Sequence, residues 1–314
     1  MFLTVDAARS RRAARGGCAP RILHSRFTEV FYTALVNIDS QPSIGHLMNS
    51  EQHSTSGDVG TTPSSSSIHV EGLAKEYETR NGIEQVFDDV SFTINEGSFV
   101  TLIGRSGSGK STLLSIVSGI QEATKGRVRF ESSSGDDITL GHVFQEPRLL
   151  PWNTCVQNIE FVHEDNDSFS EELAKEYLDL VGLDGQYDKF PTQLSGGQQQ
   201  RVGIARALSI DPEILLMDEP FSNLDEITAA ELRKELISIW SDLGKTVFFV
   251  THDITEAVEL SDRILMLGDG EIYSDISVDL ERPRTVDSEE FLTFQQHAIE
   301  EFHAIKKTAG ADAY

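Results

Sequence analysis

Residues 104–112 read Gly-Arg-Ser-Gly-Ser-Gly-Lys-Ser-Thr, a spacing of glycines, lysine and hydroxyls that can cradle phosphate. Gly104, Gly107 and Gly109 leave the backbone free to curl until successive N–H groups face one anion. A helix beginning near Lys110 adds its positive N-terminal end. Lys110 brings a cation to the β- and γ-phosphates of a nucleotide, and the Ser111 hydroxyl can sit on Mg²⁺. Ser106, Ser108 and Thr112 complete the run, and Arg105 places one further cation beside it. Downstream, Ile214-Leu-Leu-Met217 leads straight into Asp218-Glu219-Pro220. An apolar strand ending in two acids sets carboxylates at the carboxyl edge of a sheet, where ligands bind. Asp218 is placed to hold Mg²⁺ and Glu219 to polarise an attacking water. On its own such a pair is a common strand-end turn; the glycine loop upstream gives it meaning.

These groups need a scaffold, and the hydrophobic pattern supplies one. Ile68, Val70 and Leu73 suggest a strand, and Val86 to Ile94 a second with Val90, Phe92 and Ile94 alternating. Ser98 to Ile103 is a short apolar strand feeding the glycine loop, and Lys110 to Ser118 has helical character. Helices are expected over 170–182, 196–208 and 225–240. Buried strands are expected over 213–217 and 246–250, and a closing hairpin over 263–267 and 271–273. Strands alternating with helices imply an α/β fold with a mainly parallel sheet covered on both faces.

Between the glycine loop and the acid pair stands Leu194-Ser-Gly-Gly-Gln-Gln-Gln-Arg201. This octet resembles the signature motif of ATP-binding cassette (ABC) proteins, and the resemblance extends over about residues 68–275 with nearly every family element in order. It implies a P-loop ATPase core, an N-terminal antiparallel β subdomain and a helical insertion over about 146–195. It implies ATP and Mg²⁺ as cofactors. Tyr77 matches the aromatic that stacks on adenine, and Gln145 the lid glutamine that reaches Mg²⁺ and the attacking water. His252 matches the switch histidine at the γ-phosphate, and Ser222-Asn223-Leu224-Asp225 the loop after the catalytic acid, with Asp225 at the dimer contact. Arg105 stands where the family often has proline. Apart from the resemblance, Ser195, Gly196, Gly197 and Gln198 open an amphipathic helix and so offer a second anion-binding helix start. In the family it faces the ATP of a second copy, so that two chains close head to tail on two nucleotides.

One cassette without an appended nuclease-like or coiled-coil segment suits a transporter subunit. The stretch Glu146-Pro-Arg-Leu-Leu-Pro-Trp-Asn-Thr154 resembles importer ATPases of the nitrate, sulfonate and taurine group. So does the tail Val278-Asp-Leu-Glu-Arg-Pro-Arg284, followed by Phe291, Phe294, Ala298, Phe302 and Ile305 at helical spacing. The implied partners are a second copy, an integral-membrane permease and, indirectly, an extracytoplasmic solute-binding protein. The implied location is the cytoplasmic face of the cell membrane. A soluble ABC ATPase acting on ribosomes or DNA, or an exporter ATPase, is the competing reading.

Composition narrows the choice. The chain has 314 residues and holds 51 acids against 26 bases, a net charge of −25 that repels nucleic acid and anionic lipid. Such a surface is the expectation for a halophile, because molar salt screens it. No run of 18 apolar residues occurs, so a membrane role must come through a partner. Cys18 and Cys155 are too few for a disulfide framework or a tetrahedral metal site and read as free thiols. Residues 1–47 carry six arginines and three acids and lack a clear period. A targeting peptide, a disordered arm and translated sequence upstream of Met48 compete there, and the compositional break favours the last two. Residues 48–67 read as a flexible linker, 68–275 as the ATP-binding domain and 276–314 as a tail with a docking helix.

Overall fold

The computed structural model describes residues 66–80, 82–132, 138–166 and 168–308; the segment 1–47 and nearly all of the linker lie outside the described residues. Three strands form an antiparallel sheet in the order β2-β1-β4: β1 (Ser66–Thr79), β2 (Gly82–Ile94) and β4 (Lys125–Ser132). Six strands form the main sheet in the order β5-β6-β7-β3-β8-β9: β3 (Phe99–Gly104), β5 (Leu140–Val143), β6 (Ile214–Asp218), β7 (Thr246–Thr251), β8 (Arg263–Gly268) and β9 (Glu271–Ser277). All neighbours are parallel except β8 and β9, which form the expected closing hairpin.

Every residue of β3 and β7 is buried, as parallel strands covered on both faces require. One cover is α1 (Lys110–Val117) with the antiparallel sheet, where Leu113, Leu114, Phe87 and Ile94 meet Leu102, Val250 and Leu265. The other is α2 (Cys155–Glu160), α3 (Glu171–Leu180), α4 (Gly196–Ser209) and α5 (Glu226–Leu243), packed on Phe99, Met217 and Phe249. A third cluster joins α6 (Ile254–Leu260) and α7 (Glu289–Thr308) to β8. Among the described residues no helix is long and apolar enough to cross a membrane.

The tail forms α7, which packs beside α6 and β8. Phe291 and Ala298 are buried in the third cluster, and Phe294 and Phe302 pack against it. Arg284 fastens the approach to α7 by donating to the carbonyls of Val258 and Ser261 at 2.7 Å each. Four elements escape the sequence pattern: β4, β5, α2 and α6. The α2, α3 and α4 helices all fall between β5 and β6, within and after the stretch expected to be a helical insertion.

Candidate active site

The phosphate loop leaves the buried end of β3 and enters α1, as the motif requires. Gly104 admits no side chain: a β-carbon there would lie 2.6 Å from the Leu267 carbonyl and 2.6 Å from Ser108 Oγ. Gly109 caps α1 at φ +94°, and a β-carbon would meet Val86 Cγ1 at 2.5 Å, so the antiparallel sheet closes on the loop here. Lys110 is buried, and its Nζ folds back over the loop, donating to the Gly104 carbonyl at 3.0 Å and to the Arg105 carbonyl at 3.3 Å.

The acids meet this lysine from the end of β6. Glu219 Oε1 lies 3.3 Å from Lys110 Nζ, and its Oε2 lies 2.9 Å from His252 Nδ1. Glu219 N donates to the Val250 carbonyl at 2.8 Å, which carries the β6–β7 ladder one residue past the strand. The backbone there is left-handed, φ +41°, a conformation that costs a residue with a β-carbon about 1–2 kcal/mol. That turn aims Glu219 at the loop. Asp218 accepts from Ser111 Oγ at 3.0 Å. Burial raises the Asp218 carboxyl above the ordinary aspartate range, with the neighbouring Glu219 acting in the same direction, while the Ser111 bond and the Lys110 and Arg148 cations oppose them. Ser111 and Asp218 thus present hard oxygen donors side by side, the chemistry Mg²⁺ takes.

Gln145 follows β5 and donates from Nε2 to Ser222 Oγ at 3.1 Å; Ser222 in turn donates to the Glu219 carbonyl at 2.9 Å. The lid is held from behind by α4. Gln200 Nε2 reaches the Phe144 carbonyl at 3.2 Å, and the buried Arg206 donates to the carbonyls of Pro147 and Arg148 at 2.8 and 3.1 Å. Burial lowers the Arg206 guanidinium to about 10. Gln200 and Arg206 escaped the sequence reading because a polar residue on a helix carries no sign of the loop it supports.

At the start of α4, Ser195 and Gln198 form a reciprocal capping box, Ser195 Oγ accepting from Gln198 N at 3.3 Å and Gln198 Oε1 accepting from Ser195 N at 3.0 Å. A β-carbon on Gly197 would come within 2.6 Å of Thr228 Cγ2, whereas one on Gly196 would meet nothing within 4 Å. Thr228 belongs to the cap that Asp225 places on α5, accepting from Thr228 N at 3.1 Å. The signature and the Asp225 loop therefore form one corner. Among the described residues neither Ser195 nor Gln198 bonds to the phosphate loop.

Tyr77, near the end of β1, is 36% exposed, with its hydroxyl donating to Gln121 Oε1 at 2.9 Å and Lys75 Nζ 4.9 Å above its ring. Of the apolar residues past the lid, Leu150 is buried and Leu149 packs on the core, while Trp152 is 64% exposed.

The family profile described as ABC transporter matches residues 87–222. An ABC transporter ATP-binding protein of Methanocaldococcus jannaschii is 43% identical over 241 residues, covering 74% of this chain and 90% of the relative. A bicarbonate transport ATP-binding protein of Synechocystis is 43% identical over 232 residues, covering 70% and 82%. An aliphatic sulfonates import ATP-binding protein of Bacillus cereus is 38% identical over 242 residues, covering 75% and 95%. Among solved structures, a dimeric ATP-binding cassette in a post-hydrolysis state bound to ADP and Pi superposes with a TM-score of 0.61 at 33% identity, covering 68% of this chain and 100% of that one. The chain therefore belongs to the ATP-binding proteins of ABC transporters.

Proposed function

We propose that the chain is the ATP-hydrolysing subunit of an importer for a small anion of the sulfonate, nitrate or bicarbonate kind, and that two copies close on two ATP molecules. The convergence of Lys110, Glu219 and His252 within 3.3 Å carries the catalytic part of this reading. The sulfonates import name of a relative at 38% identity and the bicarbonate transport name of one at 43% support the transport part, and the dimeric cassette supports the pair.

The loop from Gly104 to Thr112 binds the phosphates and Tyr77 stacks on the adenine. Ser111, Asp218 and Gln145 would hold Mg²⁺, whose charge would stabilise the phosphate oxygens. Phosphate arriving at Lys110 competes for the ammonium group that Glu219 now shares. Glu219 is then released to orient and polarise water, with His252 at the γ-phosphate. Ser195, Gly196, Gly197 and Gln198 face the nucleotide of the second copy, with Asp225 at the contact. An integral-membrane permease holds the pair at the cytoplasmic face of the membrane, and a solute-binding protein delivers cargo to that permease. The domain limits follow: 68–275 for the ATPase, 276–314 for the docked tail, and 1–47 dispensable.

Lys110→Ala tests the nucleotide site directly. It is expected to weaken ATP binding by about 100-fold, because a charge-assisted donor to two phosphates is lost. A nucleotide-filter assay reads the result; binding within threefold of wild type would refute the assignment.

The acidic surface gives a second test. Self-repulsion at a net charge of −25 is screened as the Debye length falls to about 3 Å at 1 M salt. The melting temperature is expected to climb by about 10 °C or more between low salt and 2–3 M KCl. A flat profile removes the halophile reading.

A further inference from the structure

Behind His252 lies a set of charged side chains that the hydrolytic scheme does not use. Arg233 on α5 is buried, yet it is ringed by three carboxylates. Its Nε donates to Glu259 Oε2 at 2.7 Å, its Nη2 to Glu226 Oε1 at 2.8 Å, and its Nη1 lies 3.6 Å from Glu256 Oε1. Glu256 is itself buried on α6, and its other oxygen, Oε2, accepts from Thr251 Oγ1 at 2.6 Å. Thr251 closes β7, and the same hydroxyl accepts from Asp253 N at 3.1 Å. One hydroxyl thereby ties the residue before His252 to the residue after it, and Glu256 holds that hydroxyl in place.

Fastening α5 to α6 would need only the Arg233–Glu259 pair. The second carboxylate does something else: one of its oxygens faces the guanidinium and the other faces the bracket around the histidine. Its placement is costly, since burial pushes the Glu256 carboxyl up to about 7 against the pull of Arg233. The far end of the strut is Glu226, adjacent to Asp225 and 79% exposed at its side chain, so its bond to Arg233 can change without disturbing the core.

We infer that Glu256 and Arg233 are positioning residues for His252, joining the backbone that presents this histidine to the start of the helix capped by Asp225. The inference rests on His252 acting at the γ-phosphate. A second copy pressing on the Asp225 corner then shifts Glu226, Arg233 and Glu256 in sequence, and the histidine moves with them.

The test uses the full chain, steady-state ATPase kinetics and thermal melting. Thr251→Val removes the hydroxyl and keeps the β-branched shape. Glu256→Gln keeps the shape but can accept at only one of its two ends, whereas both Arg233 and Thr251 are donors. Each is expected to lower kcat by roughly tenfold with KM for ATP within about twofold, the mark of a group that acts beyond ground-state binding. Thr251→Ser is expected to restore kcat, and the Thr251→Val/Glu256→Gln double variant to fall no further than the lower single, as members of one chain do. A kcat within twofold of wild type in either single variant overturns the inference, as does a Thr251→Ser variant as slow as Thr251→Val. Should Thr251→Val not fold, Glu256→Gln decides alone. His252→Ala is measured alongside. If it hydrolyses ATP within about threefold of wild type, the switch reading itself fails. If it is inactive while Thr251→Val and Glu256→Gln are at wild-type rate, only the strut fails.

Discussion

Glu219→Gln is expected to lower ATP turnover by about 10²- to 10³-fold while ATP binding survives, the loss typical of removing a general base. The amide keeps the length and shape of the side chain and can still pair with His252 Nδ1, now at 2.9 Å from the carboxylate. It cannot polarise water, and it ends the ion pair that holds Lys110 at 3.3 Å. With its anionic competitor gone, Lys110 is free for phosphate, so nucleotide affinity should hold or rise. If two copies close on ATP and open on hydrolysis, as proposed, the closed pair should then persist, and a sizing column run with ATP should show the variant at twice the mass of the nucleotide-free chain. Turnover within about threefold of wild type would show that Glu219 is not the base. Lost ATP binding would instead mean that the Lys110–Glu219 contact builds the phosphate loop.

The bends of the glycine loop were legible because a backbone requirement is written in residue type. Glycine at 104 and 109 is demanded by contacts of 2.6 and 2.5 Å that any β-carbon would make, so the requirement shows directly in the sequence. Strands β3, β6 and β7 were legible because parallel strands buried on both faces are largely apolar runs. The missed strands were hidden for local reasons. β4 alternates through Arg127 and Arg129, which pair with Glu71 on β1, so charge masks a paired strand. β5 has only four residues, one of them His142, which stacks on Phe144 at 4.0 Å and whose burial, with the Arg148 cation acting the same way, pushes its pKa down to about 3. Helix α6 is seven residues long, too short for periodicity to declare itself. Arg206, Arg233 and Glu256 were illegible for a different reason. Each is an ordinary charged residue on a helix until the tertiary fold places a carbonyl, a carboxylate or a hydroxyl against it.

Trp152→Ala is expected to cut binding to the cognate membrane subunits by at least about tenfold and to uncouple transport, with the ATPase rate and melting temperature of the isolated chain nearly unchanged. The stretch that carries it divides by burial: Leu150 turns into the core and Trp152 is 64% exposed. The turn beneath is rigid. The buried Asn158 accepts from Leu150 N at 2.7 Å and donates to the carbonyls of Leu150, Asn153 and Thr154 at 3.2, 3.1 and 2.9 Å. An aromatic presented on a turn already fixed loses little freedom when it binds, and such anchors carry a large share of an interface's energy. Its position also suits coupling. Trp152 follows directly on the lid, whose carbonyls at Phe144, Pro147 and Arg148 are bound by Gln200 and Arg206 of the signature helix. A change at either nucleotide contact would therefore move the turn as one body with α4. Co-purification with the membrane subunits and a transport assay in vesicles read the outcome. If Trp152→Ala instead lowers the melting temperature of the isolated chain by about 8 °C or more, and the folded fraction still joins the membrane subunits normally, the tryptophan is a packing residue and the permease is seated elsewhere.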